Sequence, residues 1–329
     1  MPSRRLTLAA AMAAPLAAPR PGRTQGFPQR PIRVFCTGPA GSSTDLPLRA
    51  VTDFMARRLG QPVIVDNRSG AGGALAAQAV VQSRADGHTL GNCTVSVLRA
   101  AYMTPSVTYD PMADFSYVAQ LGGYTVGIAV KADAPWRSWA ELMDWARAHP
   151  GQLIYAASGI GTGGHIAMEI VARQAGIEAV FVPYRGSSDV LGALLAGSVN
   201  VISDGAFWAG AVRDGSLRLL AISSSARRIP RYPDTPTLNE LGYEFDGTAS
   251  LGIIGPHGIP EEAARPLQVA MREAMQDPGV RAVFDRFDLT PGFVDGPDFD
   301  AAMRRIASQE RGVLNTLGLL RGAAGRENR

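Results

Sequence analysis

Two short segments gather the small polar residues of this chain. They are Gly38-Pro39-Ala40-Gly41-Ser42-Ser43-Thr44-Asp45 and Ala157-Ser158-Gly159-Ile160-Gly161-Thr162-Gly163-Gly164-His165, in different halves of the sequence. Each follows a short apolar run (Ile32 to Phe35; Leu153 to Ala156) and precedes a stretch that reads as helix. A strand, a tight turn of small residues and a helix start leave several backbone N–H groups without partners. Those donors sit at the positive end of the helix dipole, so each segment is a ready cradle for an anion. Two such cradles in one chain point to a carboxylate gripped from both sides.

The single residues carry alternatives. In the first segment Gly41, Ser42, Ser43 and Thr44 offer N–H groups and hydroxyls to a carboxylate, with Asp45 turned toward a bound water or a ligand donor. The same residues also read as a plain N-cap. In the second, Ser158, Gly159, Gly161 and Thr162 clasp the ligand or form a simple strand-to-helix turn. His165 is expected to be neutral beside a helix N-terminus, either donating to the ligand or capping its own helix. Trp208 offers an indole face or belongs to the core. Tyr184 and Arg185 follow an apolar strand; Arg185 and Arg99 pair with a carboxylate or make ordinary salt bridges.

Little else suggests chemistry. His88, His149, His165 and His257 are scattered, with no metal-ligand spacing. No Gly-x-Ser-x-Gly elbow ends a strand. Gly70-Ala71-Gly72-Gly73 lacks the Lys-Ser/Thr of a phosphate loop and the spacing of a dinucleotide fingerprint; it reads as a helix start that positions the first half. We therefore expect no catalytic residues, no metal and no cofactor. Cys36 and Cys93 each end a predicted strand, as a disulfide in an oxidising compartment or as two buried thiols.

The elements that position these loops alternate between strand and helix over most of the chain. Two repeats of a strand–helix–strand pattern, followed by a mostly helical tail, predict an α/β fold of two Rossmann-like lobes joined by two crossing strands. The alternation further implies parallel sheets. The expected division is 27–123 with 253–329 as lobe one, and 124–252 as lobe two. Pro266 is expected to delay or kink its helix. Ligands in open α/β sheets bind at the carboxyl ends of strands, so the two loops should face each other across a cleft.

The chain has 329 residues, 46% of them hydrophobic and 19% charged, with a formal charge of +3. Arg4, Arg5, Arg20 and Arg23 stand in an acid-free leader; without them the charge becomes −1, which gives no case for nucleic acid. Arg4-Arg5 followed by the apolar Leu6 to Ala18 reads as an export signal over residues 1–26, with a twin-arginine flavour. The remainder is expected to be a soluble exported protein, cleaved from its leader.

These residues resemble the Bug family, the extracytoplasmic receptors of tripartite tricarboxylate transporters. The first loop matches the family's opening glycine-serine-threonine-aspartate turn, although Ala40 and Ser42 replace a proline and a glycine. Gly60-Gln61-Pro62-Val63-Ile64-Val65-Asp66-Asn67-Arg68-Ser69-Gly70-Ala71-Gly72-Gly73 is similar to the family's most recognisable segment. Asp86-Gly87-His88-Thr89-Leu90, Tyr109-Asp110-Pro111, Ser158-Gly159-Ile160-Gly161-Thr162, Val182-Pro183-Tyr184-Arg185-Gly186 and Asp234-Thr235-Pro236-Thr237 follow in order. The resemblance implies a periplasmic binding protein of type II-like fold that closes on a small organic carboxylate and delivers it to membrane permease subunits. It also places Asp204 near the cleft; the other reading of Asp204 is a helix N-cap. A periplasmic sensor that signals to a membrane kinase fits the same residues.

Overall fold

Short runs of β-branched and aromatic residues, most of them buried, pull the first strands together. In the computed structural model, which describes residues 26–223, 231–243 and 250–321, the chain begins with β1 (Ile32–Cys36), α1 (Asp45–Leu59) and β2 (Val63–Asn67). A 3-10 turn at Ala71–Gly73 leads into α2 (Ala74–Val81), then β3 (Thr89–Cys93), α3 (Val95–Met103) and β4 (Phe115–Gly123). The second lobe runs through β5 (Val126–Lys131), α4 (Trp139–Ala148), β6 (Leu153–Ala157), α5 (Gly163–Ala175), β7 (Ala179–Pro183), α6 (Ser187–Leu195), β8 (Val201–Gly205), α7 (Ala209–Arg213) and β9 (Leu217–Ser223). The chain returns as β10 (Ser250–Pro256) and ends with α8 (Glu261–Ala274), α9 (Pro278–Arg286), β11 (Thr290–Asp295) and α10 (Gly296–Thr316).

Two sheets result. One has the order β11-β4-β10-β3-β1-β2, the other β7-β6-β8-β5-β9. This is a two-lobe α/β architecture. The sheets are mixed, not parallel throughout. β10 pairs antiparallel with β3 and β4, β11 antiparallel with β4, and β5 antiparallel with both β8 and β9. The local alternation of strand and helix that predicted parallel pairing holds for β1, β2 and β3 and for β6, β7 and β8. It fails for β5 and β10, which enter a sheet from the other lobe with no helical crossover to set their direction, and for the edge strand β11.

Local chemistry explains most boundaries. Gly60 ends α1 in the left-handed conformation (φ 67°), its N–H donating to the Ala56 carbonyl. Ser138 caps α4 by accepting from the Glu141 N–H, while the Glu141 carboxylate reaches the Arg137 N–H. α8 runs without interruption through Pro266. Cys36 and Cys93 are buried free thiols, and burial pushes both up to about 12. The expected leader, apart from residue 26, lies outside the described residues, as does part of the second crossing. No helix among the described residues is long and apolar enough to cross a membrane.

Candidate ligand-binding site

Loop one follows β1 and opens α1. Its shape is set from below by side chains at the ends of neighbouring strands. Asn67, the last residue of β2, donates to the Gly38 carbonyl (2.9 Å) and to Asp45 Oδ1 (2.8 Å). Asn92, in β3, accepts from the Thr37 N–H (2.7 Å) and donates to Thr37 Oγ1 (2.9 Å). Asp45 is almost fully buried; its Oδ2 accepts from the Gly41 N–H (2.8 Å) and from Arg49 Nε (2.9 Å). Burial alone would raise this carboxyl, but hydrogen bonds from Arg49, the Gly41 N–H and Asn67 outweigh it and hold it below its usual range. Asp45 thus faces the loop, not the cavity, and Gly41 is also off the wall. Ser42, Ser43 and Thr44 do line the cavity, and Thr44 Oγ1 accepts from the Tyr124 hydroxyl at 3.4 Å.

Loop two follows β6 and opens α5. Asp204, at the end of β8, anchors it: Oδ1 accepts from Ser158 Oγ (2.6 Å) and the Ser158 N–H (3.3 Å). Asp204 Oδ2 has no partner within hydrogen-bond distance. Burial raises the Asp204 carboxyl, with the Ser158 hydrogen bonds opposing. Gly164 lets α5 start directly against β8; a Cβ there would lie 1.7 Å from the Ser203 carbonyl oxygen. His165 does not reach the cavity. Its Nδ1 accepts from the Gly161 N–H (3.1 Å), its ring stacks on Phe181 at 4.1 Å, and burial lowers its pKa to about 4. It is therefore neutral, as expected, but serves the loop backbone. Trp208 is core: its Nε1 donates to the Asp204 carbonyl (3.0 Å), and its ring lies over Gly127.

Between the loops lies a cavity of about 370 Å³. Ser42, Ser43, Thr44, Ser158, Gly159, Thr162, Tyr184, Arg185 and Asp204 stand on its wall; Gly41, Asp45, Gly161, His165 and Trp208 do not. The Gly70–Gly73 segment, read from sequence only as positioning the first half, was missed as a contributor to the wall. Gly70–Gly73 and Thr94–Ser96 also line the cavity. The signal was present, because both are small-residue helix starts after strands, like the two loops. Arg99 lines the cavity as well, but its charge is met by a buried bidentate ion pair with Glu310, so it makes neither a ligand pair nor a surface bridge.

One pattern unites this wall. The N-cap residues of α1 (Thr44), α2 (Gly73), α3 (Thr94), α5 (Thr162) and α6 (Gly186) all line the cavity, and none forms a side-chain cap. Away from it, α4, α9 and α10 are capped by Ser138, Asp277 and Asp295, while α7 and α8 start without a side-chain cap. Five positive helix ends therefore converge on one space, and none is capped by the side chain of its own N-cap residue, although the Ser42 hydroxyl accepts from the Asp45 N–H at the start of α1 (3.2 Å). Such a space attracts negative charge without needing a lysine.

Residues 48–319 match the model of the tripartite tricarboxylate transporter family receptor. A Cupriavidus necator protein, described as the UPF0065 protein in the gbd 5′ region, is 37% identical over 317 residues, covering 96% of each chain. MatC from Rhodopseudomonas palustris, solved with bound malate, is 28% identical with a TM-score of 0.80, covering 88% of this chain and 100% of its own. A second R. palustris protein, solved with adipate, is 26% identical with a TM-score of 0.83, covering 89% and 98%. With the family model spanning most of its length, this chain belongs to the receptor family of the tripartite tricarboxylate transporters.

Proposed function

We propose that the chain is a periplasmic receptor that captures a small mono- or dicarboxylate between its lobes and delivers it to membrane permease subunits. The convergence of five helix starts on one cavity carries this reading. Backbone N–H groups of Ser43, Thr44, Gly159 and Ile160, with the Ser42, Ser43 and Thr44 hydroxyls, hold one carboxylate, while the Thr162 hydroxyl braces the loop by donating to the Gly159 carbonyl. Pro39, Val95, Val126, Ile160 and the Tyr124 ring receive an apolar body. Arg185, exposed on the wall, suits a second carboxylate better than bulk solvent would. Tyr184 and Asp204 take donors or ordered water. The residues set behind the wall (Gly41, Asp45, Gly161, His165 and Trp208) act by shaping it. The malate and adipate held by the two R. palustris proteins support this ligand class.

Thermal-shift measurements followed by calorimetry test the reading. Malate, adipate, benzoate and an aromatic dicarboxylate form the panel, with NAD as a non-carboxylate-receptor control. At least one acid should raise the melting temperature by mass action; at a hundredfold excess over Kd the gain is ~2.7 kcal/mol. A panel with no stabilising acid, or a response to NAD alone, defeats it.

A further inference from the structure

Arg99 lies on α3 in the first lobe and is about 1% exposed. Its Nε and Nη2 donate to the two carboxylate oxygens of Glu310 on α10, at 2.7 and 2.6 Å. The remaining arm crosses the cleft: Nη1 donates to the Gly161 carbonyl of loop two at 3.2 Å. The Gly161 N–H is already held by His165. One residue of loop two is therefore clasped on its N–H by its own helix and on its carbonyl by the opposite lobe. The loop also touches α3 elsewhere, since a Cβ on Gly161 would lie 3.2 Å from the Met103 sulfur and 3.5 Å from the Arg99 Cβ.

A buried ion pair contributes little net stability, because desolvation offsets most of the attraction. Stability alone is thus a poor reason for this pair to stand on a cavity wall. Arginine can satisfy a carboxylate with two donors and still direct a third in a fixed plane; a lysine ammonium cannot. We propose that Arg99 and Glu310 form a positioning pair for loop two. Glu310 fixes the guanidinium plane, and Arg99 holds loop two in its closed pose before any ligand contributes. The Arg99–Gly161 hydrogen bond exists only when the lobes are together, so it shifts the open–closed equilibrium toward closed. Ligand then meets a cavity whose second wall is partly assembled, and release must break a charged hydrogen bond.

The inference does not depend on which ligand binds, and its test uses none. Spin labels placed on the exposed positions Asp53→Cys and Arg173→Cys, one in each lobe, report the interlobe distance by pulsed electron resonance; Cys36 and Cys93 are buried. The labelled parent should show a closed population without ligand. Arg99→Lys keeps a partner for Glu310 but loses the third arm. It should lower the closed-to-open ratio about tenfold, the scale of one charged hydrogen bond, with the urea midpoint little changed. The double variant Arg99→Met with Glu310→Leu leaves no orphaned charge and should give the same shift, which covers the case in which Arg99→Lys fails to fold. A parent that is wholly open, or distance distributions unchanged by the variants that fold, overturns the proposal, and either result leaves carboxylate binding to be judged separately.

Discussion

Asp45 and His165 play matching parts on opposite sides of the cleft. Each sits in the first turn of a helix, and each accepts a glycine N–H from the loop before it, Gly41 and Gly161. Sequence showed that both residues belonged to the loops but not which way they point. An acceptor in a first helical turn can face a ligand or its own loop, and only packing decides. Arg49 and Asn67 turn Asp45 inward, and the Phe181 ring fixes His165. The His165 assignment has a pH consequence. Its folded pKa of about 4 lies below the reference 6.5, because burial and then Arg99 disfavour the cation. Between those values the unfolded chain binds more protons, so stability is full above about pH 6.5 and declines as pH falls toward 4. The loss at pH 4.5 should be roughly 2–3 kcal/mol. Asp45, held below its usual range, adds its own loss only at lower pH. Urea unfolding at pH 7 and 4.5 should show a smaller pH penalty for His165→Gln, which keeps an acceptor but does not titrate. Equal penalties in both proteins would contradict the buried neutral imidazole.

At the level of elements, α5 is the piece on which loop two depends, and Gly164 sets its seat. A methyl group at 1.7 Å from the Ser203 carbonyl cannot be absorbed by a side-chain rotation, since the obstacle is backbone. Gly164→Ala should push the start of α5 off β8 at a cost of about 1–3 kcal/mol or more, read as a lower melting temperature. It should also weaken acid binding, because Ser158 and Thr162 move with the helix. An unaffected melting temperature would mean that α5 docks less tightly than described. The same elements show what sequence could reveal. The starts of α1 and α5 were legible because strand, small-residue turn and helix follow within a few residues, a purely local pattern. β11 was not, since Thr290-Pro291-Gly292 reads as a loop; as an edge strand it tolerates a proline that an interior strand would exclude. α3 was hidden by Val95 and Val97, whose β-branching disfavours helix and whose burial against the core overrides it. Strand direction was also out of reach, because the order of β10 and β5 in their sheets depends on contacts distant in sequence.

For the whole molecule, the lobes are joined by more than the two chain crossings. Pro39 of loop one packs at Gly186, where a Cβ would lie 2.6 Å from the proline ring. Phe207 stacks on Phe287 at 6.2 Å, and the Thr125 hydroxyl donates to the Asp288 carbonyl at 2.8 Å. The Asp288 carboxylate, in the first lobe and nearly buried, gathers Arg213, Arg231 and Tyr232 from the second-lobe stretch. This cluster is an electrostatic tie between the lobes beside the first crossing. Its arginines are 42–43% exposed, so water screens the pairs and the contribution belongs at the low end of a buried bridge. Asp288 also has a positive φ of 49°, which asparagine accepts as readily as aspartate. Asp288→Asn therefore removes the charge without adding backbone strain. It should cost about 1–2 kcal/mol, or a fall of roughly 2–6 °C in melting temperature for a protein of this size. High salt distinguishes this tie from simple packing. At 1 M ionic strength the Debye length falls to about 3 Å, so added salt should narrow the gap between the parent and Asp288→Asn. A gap that stays constant from low to high salt would assign the loss to hydrogen bonding and shape, and would remove the ionic tie from the account of how the lobes hold together.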